Sequence, residues 1–402
     1  MVTKKPRKQK LLIIANNNFG TSQSGGDTIF LEFIKNWQSK LDITVFGSQE
    51  TQNLLNRYKL TPSFIKTDNF NPHHQPTAVN IIFHNLRRCL KGFTTYLLNY
   101  SLFTKFSYCY TVSDFPPDFF IGLINKILHP KTIWISGQYL FAPNPSQKNS
   151  PYKNQPIKGW FYYLYQKISL PLARKFANII LVTSAPDISK FPNKKTIIVQ
   201  GGVDITQSQR YLKSSKIIPV NQRKYDAVYL GRLHPQKGVL ELIDIWQSVT
   251  NTLPTAKLAI IGDGQLEPQI KSKIKKLKLQ KNIQLLGFLT GQQKYAIFKN
   301  SKIVVHPATY DSGGMSAAEA MAWGLPGVSF NLESLKTYYP QGIIKSPLSN
   351  NQQFAQNIIS LLTNQKLYQK HSSQAIKLIQ NTWDWQKRSD IIYQQIFNAP
   401  KI

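Results

Sequence analysis

"KIVVHPATYDSGGMSAAEAMAWGLPGVSF" runs from Lys302 to Phe330 and holds one full strand, loop, helix and strand. The apolar run KIVVHP is halted at Pro307. SAAEAMAW then reads as a helix that stops at Gly324 and Pro326, and Val328–Phe330 is apolar again. A strand–helix–strand of this length predicts a crossover between parallel neighbours.

The same alternation extends in both directions. Before the break at Gly201–Asp226, candidate strands are Leu11–Ala15, Ile43–Phe46, Tyr108–Thr111, Thr132–Ile135, Ile179–Val182 and Thr196–Val199. After it come Ala227–Leu230, Lys257–Ile261, Ile283–Leu286, Ile303–His306, Val328–Phe330 and Gly342–Ile344. Most are unbroken apolar runs, as expected of parallel strands covered on both faces. Val239, Leu242, Ile243, Trp246 and Val249 keep helical spacing, as do Phe354, Ile358, Leu361 and Leu362. The expectation is α/β, with two facing doubly wound Rossmann-like domains. Ligands then sit in the cleft beyond the carboxyl ends of the strands.

Apolar residues make up 42% of the 402-residue chain and charged residues 17%, which excludes a disordered polymer. Fifty Lys and Arg against 19 Asp and Glu give +31, a balance that suits a polyanionic partner. Cys89 and Cys109 fit no metal or disulfide framework, so a reducing compartment is expected. The basic start MVTKKPRKQKLLIIANNNFG has too short an apolar run for a signal peptide, and no later stretch is long enough to span a bilayer. A cytoplasmic protein is expected, soluble or resting on the membrane.

The chemistry is expected at the loop Tyr310–Met315. It leads backbone N–H groups to a helix N-terminus, with Asp311 at its start and Glu319 on the helix beyond. A ligand with a sugar, a diphosphate and a ribose uses all three features. The alternative is an aspartate that merely caps the helix. In VYLGRLHPQKGVLELIDIW, Arg232 and Lys237 stand at a strand end beside another helix, where two cations suit a pyrophosphate. His306 ends a strand beside the loop, and either lines the site or packs. No D-x-D and no metal-ligand spacing occurs, so no metal is expected. Two segments, Asn85–Phe106 and Lys158–Phe176, mix aromatics with Lys and Arg as interfacial helices do. An anionic membrane surface is thus a candidate partner. No nucleic-acid recognition motif is present, so nucleic acid is not expected.

GRLHPQKG, LAIIGDG followed by IQLLGFL, and the Asp311–Glu319 segment running into EAMAWGLP together resemble the family 4 glycosyltransferases of the GT-B fold. The first half matches more thinly, through SGGDTIF, ANIILVTS and GGVD. The resemblance implies a retaining, metal-independent transferase of hexosyl type that takes a nucleotide-diphosphate sugar as substrate, with no cofactor. The acceptor is a glycan, polysaccharide or lipid-linked molecule. It assigns catalysis to Arg232, Lys237 and Asp311. Donor binding falls to Gly262, Phe288, Leu289, Ser312, Gly313, Gly314, Met315 and Glu319. Gly25 and Gly26, in the loop after the first strand, and Gln138 would meet the phosphates or the acceptor.

The family usually has Glu where this chain has Asp311, and many members have His near Gln138. A glutamine is no general base near neutral pH, and no catalytic base is assigned. The expected domains are 1–205 for the acceptor and 206–380 for the donor, with 381–402 a helix returning to the first. Two other readings fit the residues: a GT-B nucleotide-sugar epimerase or hydrolase, and a non-catalytic basic protein that binds nucleic acid or membrane.

Overall fold

The computed structural model describes residues 8–18, 24–69, 78–147, 156–311 and 313–398, with the side chains of 78–81 excepted. The chain divides into two compact units. One runs to Gln200 and resumes at Ser389; the other is Gly201–Arg388. The sequence reading put these boundaries after 205 and 380. Gly201–Val203 goes with the second unit because Val203 N–H donates to the Trp383 carbonyl at 2.7 Å and Val203 bridges Asp384.

The first unit is built on seven parallel strands: β1 (Lys10–Ala15), β2 (Asp42–Gly47), β3 (Ser63–Lys66), β4 (Tyr108–Thr111), β5 (Ile133–Gln138), β6 (Ile179–Val182) and β7 (Lys195–Ile198). Their order is β3-β2-β1-β4-β5-β6-β7, so the direction of winding reverses between β1 and β4. β3 is absent from the sequence reading. It is an edge strand, exposed or half-buried throughout, and carries no apolar run. The segment from Ser389 closes this unit. Trp37 Nε1–H donates to the Ser389 carbonyl at 3.1 Å, and its ring meets those of Tyr393 and Phe397 edge-on.

In the second unit six parallel strands follow: β8 (Tyr225–Leu230), β9 (Leu258–Ile261), β10 (Ile283–Leu285), β11 (Ser301–His306), β12 (Gly327–Phe330) and β13 (Ile343–Ser346). Their order is β10-β9-β8-β11-β12-β13, with Ile303 beside Ala227 and Val304 beside Val228. Alternate residues feed two cores. Ala227, Tyr229, Leu258, Ile260, Ile303 and Val305 face one core, which Trp246 and Phe354 complete. Val228, Ala259, Ile261 and Val304 face the other, which holds Met321, Trp323 and Trp383. Burial on both faces explains why these strands read as continuous apolar runs. Among the described residues, no helix is long and apolar enough to cross a membrane.

Candidate functional site

Winding in the second unit reverses between β8 and β11. Such a switch point is where open α/β sheets place ligands. Gly231–Gly238 leaves β8 and Pro307–Gly314 leaves β11, so the motif residues of both loops meet at this point.

Local sequence locks the two loops together. The Gln236 carbonyl accepts from Thr309 N–H at 3.0 Å and from Tyr310 N–H at 3.2 Å. Gly238 has φ +65° and caps the helix Val239–Thr252; a Cβ there would penetrate the Pro307 carbonyl oxygen. Only glycine allows that approach. Lys237 is thereby held with Nζ 2.5 Å from Asp311 Oδ2, and His306 Nε2 lies 3.2 Å from the same oxygen.

The other carboxylate oxygen is also engaged. Gly313 N–H and Gly314 N–H donate to Asp311 Oδ1 at 3.1 and 2.9 Å. Ser334 O–H donates to the Asp311 carbonyl and Tyr339 O–H to the Gly314 carbonyl, each at 2.5 Å. Burial of Asp311 would raise its pKa. The hydrogen bond and charge of His306, joined by the Lys237 ammonium, outweigh it and hold the carboxyl well below the usual range. Nearby, burial and the Asp311 charge push the Tyr229 phenol up. Tyr229 O–H donates to the Arg232 carbonyl at 3.1 Å, fixing the backbone at the end of β8 while the Arg232 side chain is exposed.

The remaining donor-site candidates surround this cluster. Gly262 follows β9, and its N–H donates to the Gly287 carbonyl at 2.8 Å. At φ +141° it lies so close to the Gly231 carbonyl that no Cβ fits. Phe288 is exposed after β10, and Leu289 is half-buried against the second core. Met315 opens the helix Met315–Met321, where the half-buried Glu319 pairs with the Lys294 ammonium. Ser312 lies outside the described residues.

In the first unit the placements differ from expectation. Gly25 and Gly26 are not loop residues; they open the helix Gly25–Trp37. The reason is a capping box, in which Ser24 Oγ accepts from Asp27 N–H at 3.2 Å and Asp27 Oδ2 accepts from Ser24 N–H at 2.7 Å. Gln138 ends β5 wholly buried, and its amide donates to Ser136 Oγ at 3.0 Å, so its side chain points into the unit.

Sequence reasoning missed Lys294, Ser334 and Tyr339, none of which belongs to a motif. His306 it left open between lining and packing; the residue is buried, with Nε2 3.2 Å from Asp311 Oδ2. Among the described residues, no group of three or more His, Cys, Asp or Glu side chains forms a metal site. What the arrangement offers is an electropositive strand end, an ionised carboxylate and a second carboxylate one helix turn deeper.

Residues 211–378 match the family model described as glycosyl transferases group 1. The matched residues lie within the second unit and make up less than half of the chain. Similar curated proteins include the poly(glycerol-phosphate) alpha-glucosyltransferase of Bacillus subtilis, 30% identical over 40% of this chain and 24% of that protein. The poly(ribitol-phosphate) alpha-N-acetylglucosaminyltransferase of Staphylococcus aureus is 24% identical over 52% of this chain and 42% of its own length. The chain thus spans a quarter to a half of the length of these relatives.

Solved structures extend the likeness of fold to both units. Anabaena HepE in complex with UDP and glucose aligns with TM-score 0.68 at 14% identity, over 98% of this chain and 100% of that one. A variant of S. aureus TarM, in complex with fondaparinux, alpha-GlcNAc-glycerol and UDP, aligns with TM-score 0.69 at 12% identity, over 96% and 99%. Each unit is a Rossmann-like parallel sheet, as in the GT-B fold.

Proposed function

We propose that the protein is a retaining glycosyltransferase of family 4. It moves a hexosyl group from a nucleoside-diphosphate sugar to a glycan, polymer or lipid-linked acceptor on the cytoplasmic side of the membrane. The observation that carries this reading is the joining of Lys237 to Asp311 beside Arg232 at the switch point. Arg232 and Lys237 supply the positive charge that a departing diphosphate needs, so the donor enters as substrate without a metal. Asp311 accepts from hydroxyls of the donor sugar, and Glu319 from those of the ribose.

Transfer on the front face lets the leaving phosphate take the acceptor proton, so no side chain is assigned as base. Support for retention comes from the alpha products in the names of both curated relatives, given donors of alpha configuration.

A thermal-shift panel of nucleoside diphosphates and their sugars, starting with UDP and UDP-glucose, tests the donor site. A ligand at 100 times its Kd should stabilise by about 2.7 kcal/mol, and a flat panel overturns the proposal. Proton NMR of the first product then reads the anomeric configuration; inversion overturns retention alone.

A further inference from the structure

The first unit carries an apolar surface that the donor chemistry does not use. On the helix Ala78–Leu98, Phe83, Leu86, Leu90, Phe93 and Leu97 recur at three- and four-residue spacing and are all exposed, Leu90 to 67%. On the helix Pro156–Phe176, Ile157, Trp160, Leu164 and Ile168 do the same. Both helices pack on the helix Pro116–Leu128 and touch each other, so the two stripes belong to one side of the unit. A soluble monomer rarely leaves so many large apolar side chains in one region.

Charge identifies what covers them. From Asn69 to Pro186 the only carboxylates are Asp114 and Asp118, and both are buried. Arg87 and Lys91 flank the first stripe one row over, and Lys167 and Lys175 continue the face of Leu164 and Ile168. Lys167 lies over the Tyr163 ring at 5.0 Å from its centroid, the arrangement of a long cation whose stem runs along apolar surface. A second copy of this chain would set two acid-free cationic faces against each other. An anionic lipid surface accepts both the apolar stripes and the cations.

We propose that the helices Ala78–Leu98 and Pro156–Phe176 form an in-plane docking face for an anionic bilayer. Leu86, Leu90 and Leu164 enter the acyl boundary, and Arg87, Lys91 and Lys167 remain among the headgroups. The face belongs to the first unit and the donor site to the second, and nucleotide binding uses none of the residues of the face.

The test is flotation of the full chain with vesicles of phosphatidylcholine alone or mixed with phosphatidylglycerol. Binding should favour the anionic vesicles and weaken as salt rises. It should fall at least about tenfold in the triple variant Leu86→Ser, Leu90→Ser, Leu164→Ser. The thermal shift with nucleoside diphosphates should be unchanged in that variant, so failure of the docking face and failure of the donor site are read separately.

Should the triple variant not fold, brominated phosphatidylglycerol vesicles give a second readout. They should quench part of the tryptophan emission of the unaltered protein, and Trp160→Phe should remove that part. Equal binding to neutral vesicles, binding untouched by the serines, or absence of quenching overturns the proposal. So does a concentration-dependent dimer in sedimentation that the serines abolish, since a second copy would then be the occupant.

Discussion

Lys237 Nζ lies 2.5 Å from Asp311 Oδ2, and this ion pair spans the carboxyl ends of β8 and β11. Both carboxylate oxygens of Asp311 are engaged. Lys237 takes one oxygen, which also lies 3.2 Å from His306 Nε2, and the Gly313 and Gly314 N–H groups take the other. On the proposed donor reading, a sugar hydroxyl competes with these donors for the carboxylate's about four acceptor positions. Lys237 is the one with somewhere else to go, since an incoming diphosphate competes for it. On that reading, donor binding frees the acid it needs.

Asp311→Asn should cost about 2 kcal/mol of stability, because it leaves the half-buried Lys237 ammonium without its carboxylate. The midpoint of urea denaturation reads this. A carboxyl held low in the folded state stabilises above its unfolded pKa and loses that contribution as pH falls through the folded value. The variant should thus match the unaltered protein only in strong acid. An unchanged midpoint at neutral pH means that the pair is idle.

Arg232 and Lys237 separate binding from folding. The Arg232 side chain is exposed, so Arg232→Ala should shift stability by no more than about 0.5 kcal/mol. It should still cost at least about 2 kcal/mol in kcat/KM for transfer. Wild-type turnover by this variant would remove the guanidinium from the mechanism.

The sequence made the sheets legible because both faces of most strands are covered, as at Ile303–Val305, whose residues alternate between two buried cores. β3 was not legible, since an edge strand with Ser63 and Lys66 at its ends has no apolar run. At the site, motif spacing placed Asp311 and Lys237 in one cluster, because the loops that carry them leave adjacent parallel strands. Lys294 reaches Glu319 from the helix Gly291–Lys299, a contact between distant segments that no local pattern encodes. Gln138 is a case of a different kind. Its position at a strand end was legible, whereas its burial and its bond to Ser136 Oγ were not.

Glu319 and Lys294 give a third expectation. If the carboxylate holds the ribose, Glu319→Gln should weaken nucleoside diphosphate binding about tenfold, roughly one charge-assisted hydrogen bond. Titration calorimetry with the ribo and 2′-deoxy nucleotides decides the point. The unaltered protein should discriminate between them and the variant should not. Equal discrimination by both proteins places the ribose elsewhere.

Gly238→Ala should be among the most damaging small substitutions in the second unit. It combines a left-handed residue with a Cβ driven into the Pro307 carbonyl, for a cost of about 3 kcal/mol. Gly25→Ala is the control. Nothing lies within 4 Å of a Cβ there, and the residue begins a helix, so stability should hold or rise slightly. Equal midpoints for the two variants would mean that the β8 and β11 loops are not locked together through Gly238.

Asp118 should give the first unit a pH dependence opposite in sign to that of Asp311. Its Oδ1 accepts from Asn16 N–H at 2.5 Å and its Oδ2 from Ser113 O–H at 2.6 Å, and burial still pushes the carboxyl up to about 7. An unfolded aspartate titrates near ~3.9. Between those values the folded state binds the extra proton, so stability falls with rising pH by up to about 1.4 kcal/mol per unit. Asp118→Asn carries no titrating proton and mimics the neutral acid in shape. It should lose little stability at pH 4 and flatten the slope from there to pH 7, in the unfolding transition assigned to the first unit. A slope as steep in the variant as in the unaltered protein would move the effect to Asp114, pushed up to about 6 by its own burial.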